Sequence, residues 1–351
     1  MRLSIERNDL LRLLTSTTKV VEARNTIPIL STVRLVADGN KLTATATDLD
    51  IEITASTPVM AEAGGGVCVE ARLLENIVKK LPASANVLLS VEDKNLVVKA
   101  GRSRFVLQFL PVSDFPDMSA GKFASEFKTN LAALLAPVKF AMSNEETRYY
   151  LCGVFLHVNG GQLVAVATDG HRLSINKTES VGDIPPVILP SKFIGLVPDG
   201  QVDVSLSDTK VRITTADAVI TSKLIDGTYP DYQRVVPTSI ERVVAVDGQA
   251  LAAAADRASV VSDMRTPTAK LSVSTNSIEV FVRGDNTAED TVEAEYDGEP
   301  FSVGYNARYM AEALAALPAG YVRFAMDPTG PALIKSDAAP DQLVVLMPQR
   351  V

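Results

Sequence analysis

The sequence predicts an α+β protein made of three repeated domains, each with two helices and antiparallel sheets. Two observations carry that prediction. The segment Ala167-Thr168-Asp169-Gly170-His171-Arg172-Leu173 has a relative at Ala46-Thr47-Asp48-Leu49-Asp50-Ile51, offset by 121 residues, and a weaker echo at Val282-Arg283-Gly284-Asp285-Asn286. A pair of helical patterns also recurs in each third, with Glu70, Ser191 and Asn306 opening the second helix of each pair at offsets of 121 and 115. Self-similarity at a fixed period marks a duplicated unit. Segregated helices and hairpins of this kind belong to the α+β class.

The first helix of each third is expected over 9–21, 128–142 and 247–262. Leu10, Leu11, Leu13 and Leu14 give the first an apolar stripe, and Leu131, Leu134, Leu135 and Val138 do the same for the second. Pro137 should kink that second helix. Leu251, an alanine run, Val260 and Val261 mark the third. The second helices are expected over 70–82, 190–198 and 305–318, each closed by a proline. The remainder reads as strand, for example over 42–53, 86–110, 154–158, 202–224, 271–282 and 322–326. Asp38-Gly39, Asn159-Gly160-Gly161 and Asp169-Gly170 break these runs into hairpins, because glycine tolerates the positive φ of a tight turn. Polar, proline-marked linkers near 113–123 and 236–242 place the domains at 1–121, 122–241 and 242–351.

The 351 residues, 46% apolar and 22% charged, suit two or three globular domains. No apolar run approaches the ~20 residues of a membrane span, and the alternating start of the chain lacks a signal-peptide core. Cys68 and Cys152 fall within expected strands and read as buried free thiols, so a reducing cytoplasm is the expected location. They make no metal-ligand spacing.

A net charge of −8 argues against nucleic acid. The six expected helices nevertheless carry ten basic and six acidic residues, a net of +4, which leaves −12 on everything else. One basic face on an acidic protein would result if the helices share a surface; ordinary scatter of solvated charge is the alternative. With no Trp and few helical aromatics, any DNA contact would be to phosphates, without sequence readout.

No catalytic motif is present. The two histidines are His157, in an alternating strand and expected to be structural, and His171. His171 and Asp169 have the residue types of an acid–base pair, which keeps a hydrolase reading open. A tight turn does not align positions i and i+2 as a base and its orienter, and Thr168 is the one nucleophile nearby. The other reading of the turn is as the wall of a pocket. Leu151, Leu173, Val235 and the run 343–348 would surround it, with Arg172 and Arg234 as a polar rim, as in grooves that hold short peptides. Plain core packing is the competing explanation. A structural β-rich repeat protein is a third reading.

Several motifs in order settle into a family pattern: Arg24-Asn25-Thr26-Ile27-Pro28-Ile29-Leu30, Gly101-Arg102-Ser103-Arg104-Phe105, Arg148-Tyr149-Tyr150-Leu151, 167–173, Ser222-Lys223-Leu224-Ile225-Asp226-Gly227, Tyr229-Pro230-Asp231-Tyr232 and the closing Met347-Pro348-Gln349-Arg350. Together they resemble the bacterial DNA polymerase III beta subunit, the sliding-clamp family, over the whole chain. The resemblance implies the DNA clamp fold and a head-to-tail homodimer closing a six-domain ring, with helices toward the hole. It implies a non-catalytic processivity factor without cofactor or metal. The ring encircles duplex DNA, is loaded by an ATP-driven clamp loader, and tethers the replicative polymerase, other polymerases and repair proteins.

The resemblance also assigns roles. A peptide pocket would use Leu151, Thr168, Gly170, His171, Arg172 and Leu173 from the central turn. Pro230, Arg234 and Val235 would come from the following segment, and Val345, Leu346, Met347, Pro348 and Arg350 from the C-terminus. Arg148, Tyr150 and Tyr309 would stand at its edge. DNA contact is implied for Arg24 and for the 144–147 loop, with Asn144 and Glu145. Phe105 and Leu107 of one chain would meet Val260 and Val261 of the next, and Arg102 and Arg104 would face Glu289, Asp290, Glu293 and Glu295. The chain departs from the family pattern at Thr228, where some members carry a basic residue, at Gln349, where an apolar residue is usual, and at Val351, where leucine is frequent.

Overall fold

The computed structural model describes residues 1–118, 121–261 and 268–351. Ser119 and Ala120 of the first expected linker and Ser262 of the third expected helix lie outside the described residues. The chain packs as two compact units, Met1–Thr129 with Gln201–Leu224, and Asn130–Gly200 with Ile225–Val351. Each is organised on one antiparallel sheet, of 13 strands in the first unit and 12 in the second among the described residues.

The central third of the chain is divided between the units. Its Ala218–Lys223 strand pairs with Ile51–Pro58, so Ser125–Thr129, Val202–Leu206, Lys210–Thr214 and Ala218–Lys223 extend the first sheet. Its Arg172–Thr178 strand pairs with Ala339–Leu346, which carries Gly153–Asn159, Gln162–Thr168 and Val187–Pro190 into the second.

Among the described residues six α-helices pack on these sheets: α1 (Arg7–Thr17), α2 (Ala71–Lys80), α3 (Leu131–Leu135), α4 (Ser191–Ile194), α5 (Gly248–Ser259) and α6 (Ala307–Ala315). Leu10, Leu13 and Leu14 bury one face of α1, and Ala71, Leu74 and Val78 bury the matching face of α2. In the last third, small residues (Ala254, Ala258, Ala307 and Ala313) let α5 and α6 lie close over a core that includes Leu271, Val280 and Phe324. Asp247 and Asn306 cap these two helices, accepting from the Ala250 and Tyr309 amides at 2.8 and 3.1 Å. The α-helices carry eight basic and four acidic residues, again a net of +4.

Two expected helices are much shorter than their sequence patterns. The second stops at Leu135: Lys128 lies in the Ser125–Thr129 strand, and past Pro137 only a 3-10 turn, Lys139–Ala141, follows. Proline has no amide to donate and its ring clashes with the preceding turn, so it ends this helix rather than kinking it. The carbonyls thus freed are taken up by the neighbouring strand. Ser174 Oγ donates to the Pro137 carbonyl at 2.9 Å, and Asn176 Nδ2 to the Leu134 carbonyl at 3.0 Å. The 190–198 pattern forms only the four-residue α4. Cys68 is fully buried in its strand, and burial pushes its thiol up to about 11. Cys152, expected in a strand, instead follows the 3-10 turn Glu146–Leu151 and is half-buried.

The repeated turn is conserved in atomic detail between the first and second copies. Thr47 Oγ1 donates to the Ile51 carbonyl at 2.8 Å and Thr168 Oγ1 to the Arg172 carbonyl at 2.7 Å. Asp48 Oδ1 accepts from the amides of Asp50 and Ile51, and Asp169 Oδ1 from those of His171 and Arg172, all within 3.0 Å. The residue between has positive φ in both, +79° at Leu49 and +90° at Gly170. A β-carbon there costs ~1–2 kcal/mol, while glycine loses ~0.5–1 kcal/mol through unfolded-state entropy. Leu49→Gly is therefore expected to stabilise the protein by about 0.5–1 kcal/mol, read as a raised urea midpoint; a lowered midpoint would mean that the half-exposed Leu49 side chain makes contacts worth more than the strain.

Candidate functional site

The central turn joins Gln162–Thr168 to Arg172–Thr178, and its side chains head a cavity of about 210 Å³ in the second unit. Three strands in register supply the floor: Thr168 is opposite Leu173, and Leu173 opposite Val345. Residues in register on neighbouring strands share a face, so these three side chains line up across the sheet. Leu151, Pro230, Val235 and Met347 complete the apolar wall, together with Gly170 and the stem of Arg172. Asp231 and Tyr232 also line it. Behind the wall Tyr232 Oη lies 3.0 Å from His157 Nε2, and Phe155 stacks on both His157 and Tyr229 with centroids 4.8 Å apart. Burial lowers the His157 pKa, which keeps the imidazole neutral in this aromatic support.

Arg172 does not form a polar rim. It is 8% exposed, with Nε 3.2 Å from Asp169 Oδ2 and Nη1 bonded to Glu312 Oε2 of α6. Its guanidinium lies 4.4 Å from the Tyr309 ring centroid and 5.2 Å from that of Phe140. His171 stacks on the same Tyr309 ring at 5.9 Å, and its carbonyl accepts from the Met347 amide at 2.9 Å. Burial raises the Glu312 carboxyl, but the hydrogen bonds from Arg308 and Arg172 outweigh it and hold the group below its ordinary value. Arg172 is thus a buried tie between turn and helix that sets the pocket's shape.

The other expected residues sort by strand alternation. Leu346 faces away from the cavity, fully buried in the core of the last third; its neighbours Val345 and Met347 point into the cavity instead. Arg234 is the exposed rim cation, paired with Asp231 at 3.0 Å. Arg148 sits beside Gly170 and bonds Glu145 at 2.7 Å, with Tyr150 half-buried against the pocket's aromatic cluster. Pro348 is half-exposed and Arg350 exposed. Between them Gln349 ties the tail down: its amide donates to the Gly304 carbonyl at 2.7 Å, and its Oε1 accepts from Thr268 Oγ1 at 2.8 Å. That polar anchoring explains a glutamine at this position.

Family models of the DNA polymerase III beta subunit match the chain in three blocks: the N-terminal domain over residues 1–119, the central domain over 127–231 and the C-terminal domain over 233–350. The chain belongs to the DNA polymerase III beta subunit family. It is 42% identical to the beta sliding clamp of Caulobacter vibrioides and 32% identical to that of Escherichia coli, covering 100% of both chains in each case. Among solved structures it resembles the C. crescentus beta sliding clamp (TM-score 0.96, 41% identity, 100% of this chain and 99% of that one). It equally resembles the Bartonella birtlesii sliding clamp solved bound to griselimycin (TM-score 0.96, 39% identity, 100% of both chains). The three-domain clamp fold and the function of a sliding clamp, a processivity factor in DNA replication, follow from this membership.

The residues that the sequence resemblance leads one to expect at a subunit interface and a DNA contact differ in exposure. Val260 is 82% exposed, whereas Val261 packs partly on its own domain core and Leu107, at 7% exposed, points inward from its strand. Phe105 is half-buried, Arg102 is exposed, and Arg104 lies 3.4 Å from Glu92. Glu289, Glu293 and Glu295 are exposed, while Asp290 is held by Arg257 at 2.7 Å. Arg24 and Asn144 are exposed. Glu145 is a poor phosphate contact: hydrogen bonds from Thr147 and Arg148 lower its pKa, so it stays anionic and anchors Arg148. No described helix is long and apolar enough to cross a membrane.

Proposed function

We propose that the chain acts as a non-catalytic homodimeric ring around duplex DNA, and that the cavity over Leu173 and Val345 takes apolar side chains of short peptide motifs from its partners. The carrying observation is the cavity itself: an apolar floor of three registered strands, fixed by a buried arginine, on a chain of the sliding-clamp family. The partners are peptide segments of the replicative polymerase, the clamp loader, and other polymerases and repair proteins. Retention on DNA would be topological, so a net +4 on the helices suffices to centre the duplex while the acidic remainder limits adhesion. The cytoplasm is the proposed location and the 1–121, 122–241 and 242–351 segments the proposed domains.

Two open sheet edges support the dimer. The Ser103–Leu110 strand meets the Gly65–Glu70 strand only at Phe109 and Leu110. The Thr287–Glu295 strand meets Val243–Asp247 only at Ala294 and Glu295. The unpaired stretches carry Arg104, with Arg102 in the turn just before it, on one side and Glu289 and Glu293 on the other, so pairing them would cover both edges with opposite charges.

Leu173→Asp places a charge on the pocket floor and is expected to reduce binding of a polymerase-derived peptide at least 100-fold in a fluorescence-anisotropy titration, since an unpaired buried charge costs several kcal/mol. Unchanged affinity would remove peptide capture from this cavity.

A further inference from the structure

The cavity is not an isolated hole but one end of a longer apolar row. Leu173 is opposite Val345, Val345 opposite Leu333, Leu333 opposite Ala325, and Ala325 opposite Val243. The last three line a second basin of about 320 Å³, walled by Pro237, Thr238, Ser239 and Ile240. Val235 walls the first basin and Pro237 the second, two residues apart on the same segment. Val243 is 44% exposed at the far end, as open as Val235 at the near end. Strands lie ~4.8 Å apart, so Val345 and Val243 are separated by ~14 Å, the reach of about four extended residues.

The next row on this face is basic. Leu343 is opposite Lys335, and Lys335 is opposite Arg323. Both cations line the second basin, and no carboxylate does. Arg323 is paired with Asp337 at 2.7 Å, while Lys335 is exposed and has no ion-pair partner among the described residues.

We propose that the second basin is an extension of the peptide groove that selects partners carrying an acidic residue about three or four positions from the apolar anchor, read by Lys335 and Arg323. This rests on the peptide reading of the first cavity. An extended segment anchored over Leu173 and Val345 lays its backbone along the Leu333–Ala325–Val243 row. Its acidic side chain then meets Lys335, and its terminal apolar contact is with Val243 and Ile240.

The test uses the 351-residue chain and three fluorescein-labelled peptides: a short one with a Leu-Phe pair, and two in which Asp-Asp is added three and four residues to the N- or C-terminal side. One extended peptide is expected to bind about three- to tenfold more tightly than the short one, the size of an exposed charge pair plus a small apolar contact. That gain should vanish in Lys335→Glu and in Val243→Asp, both exposed positions, while the short peptide binds each variant as it binds the unaltered protein. If neither extension gains affinity, or the gain survives Lys335→Glu, the second basin is not part of the groove and the pocket reading stands. Failure of the short peptide to bind at all would overturn both.

Discussion

Arg172→Ala is expected to destabilise the protein by about 3–5 kcal/mol, the cost of stripping one partner from a buried ion pair. Asp169, 8% exposed, would lose its bond from Arg172 Nε, and Glu312 would lose one of its two arginines. The Tyr309 and Phe140 rings would lose the guanidinium lying over them. A urea titration reads the loss directly, and peptide affinity should fall with it because Thr168, Gly170 and Met347 are positioned by the same turn. An unchanged midpoint would mean that the network contributes little. The pH dependence has a definite sign. The folded-state pKa of Glu312 lies below its ordinary value of 4.5, so its contribution is complete above that pH and is lost as the pH falls through the depressed folded value. Arg172→Ala should therefore differ from the unaltered protein most at neutral pH and least in strong acid.

The second large effect concerns the proposed dimer. Val260→Arg is expected to weaken association about 100-fold or more, seen as monomer in sedimentation velocity at low micromolar concentration. Val260 is 82% exposed, so the substitution should leave the thermal midpoint of the isolated chain unchanged. In the dimer it would bring a cation toward Arg102 and Arg104 of the partner subunit, and truncated or mismatched buried charges cost 2–5 kcal/mol or more. Val260 is a cleaner probe than Val261 or Leu107, both of which are partly or wholly committed to their own domain. A full dimer at that concentration would move the interface elsewhere.

The threefold repeat, the α+β class and the pairing of hairpins were legible because they rest on local signals: leucine spacing, turn residues and offsets near 120. The turn at Thr168–Arg172 was legible even in its relation to Thr47–Ile51, since the side-chain hydrogen bonds that shape it span only two to four residues. What the sequence hides is long-range. Glu312 reaches Arg172 across 140 positions, so the arginine looked like a pocket rim when it is an internal tie. Strand pairing between distant thirds puts Leu346 in one core and Val345 in the pocket, a distinction that alternation allows but does not orient until the register is known. Tyr232 lay in a recognised motif, yet its place on the wall depends on His157, 75 positions away. The short second helix was misjudged because four leucine-type positions outweighed one proline, and the carbonyl acceptors that Ser174 and Asn176 satisfy lie on another strand.

Small-angle X-ray scattering with an absolute mass tests whether two chains close around an empty centre. A mass near twice 37.5 kDa, with a pair-distance distribution that has the dip of a hollow ring, is the predicted result. A 37.5 kDa particle at tens of micromolar, or a dimer with a filled centre, would contradict it.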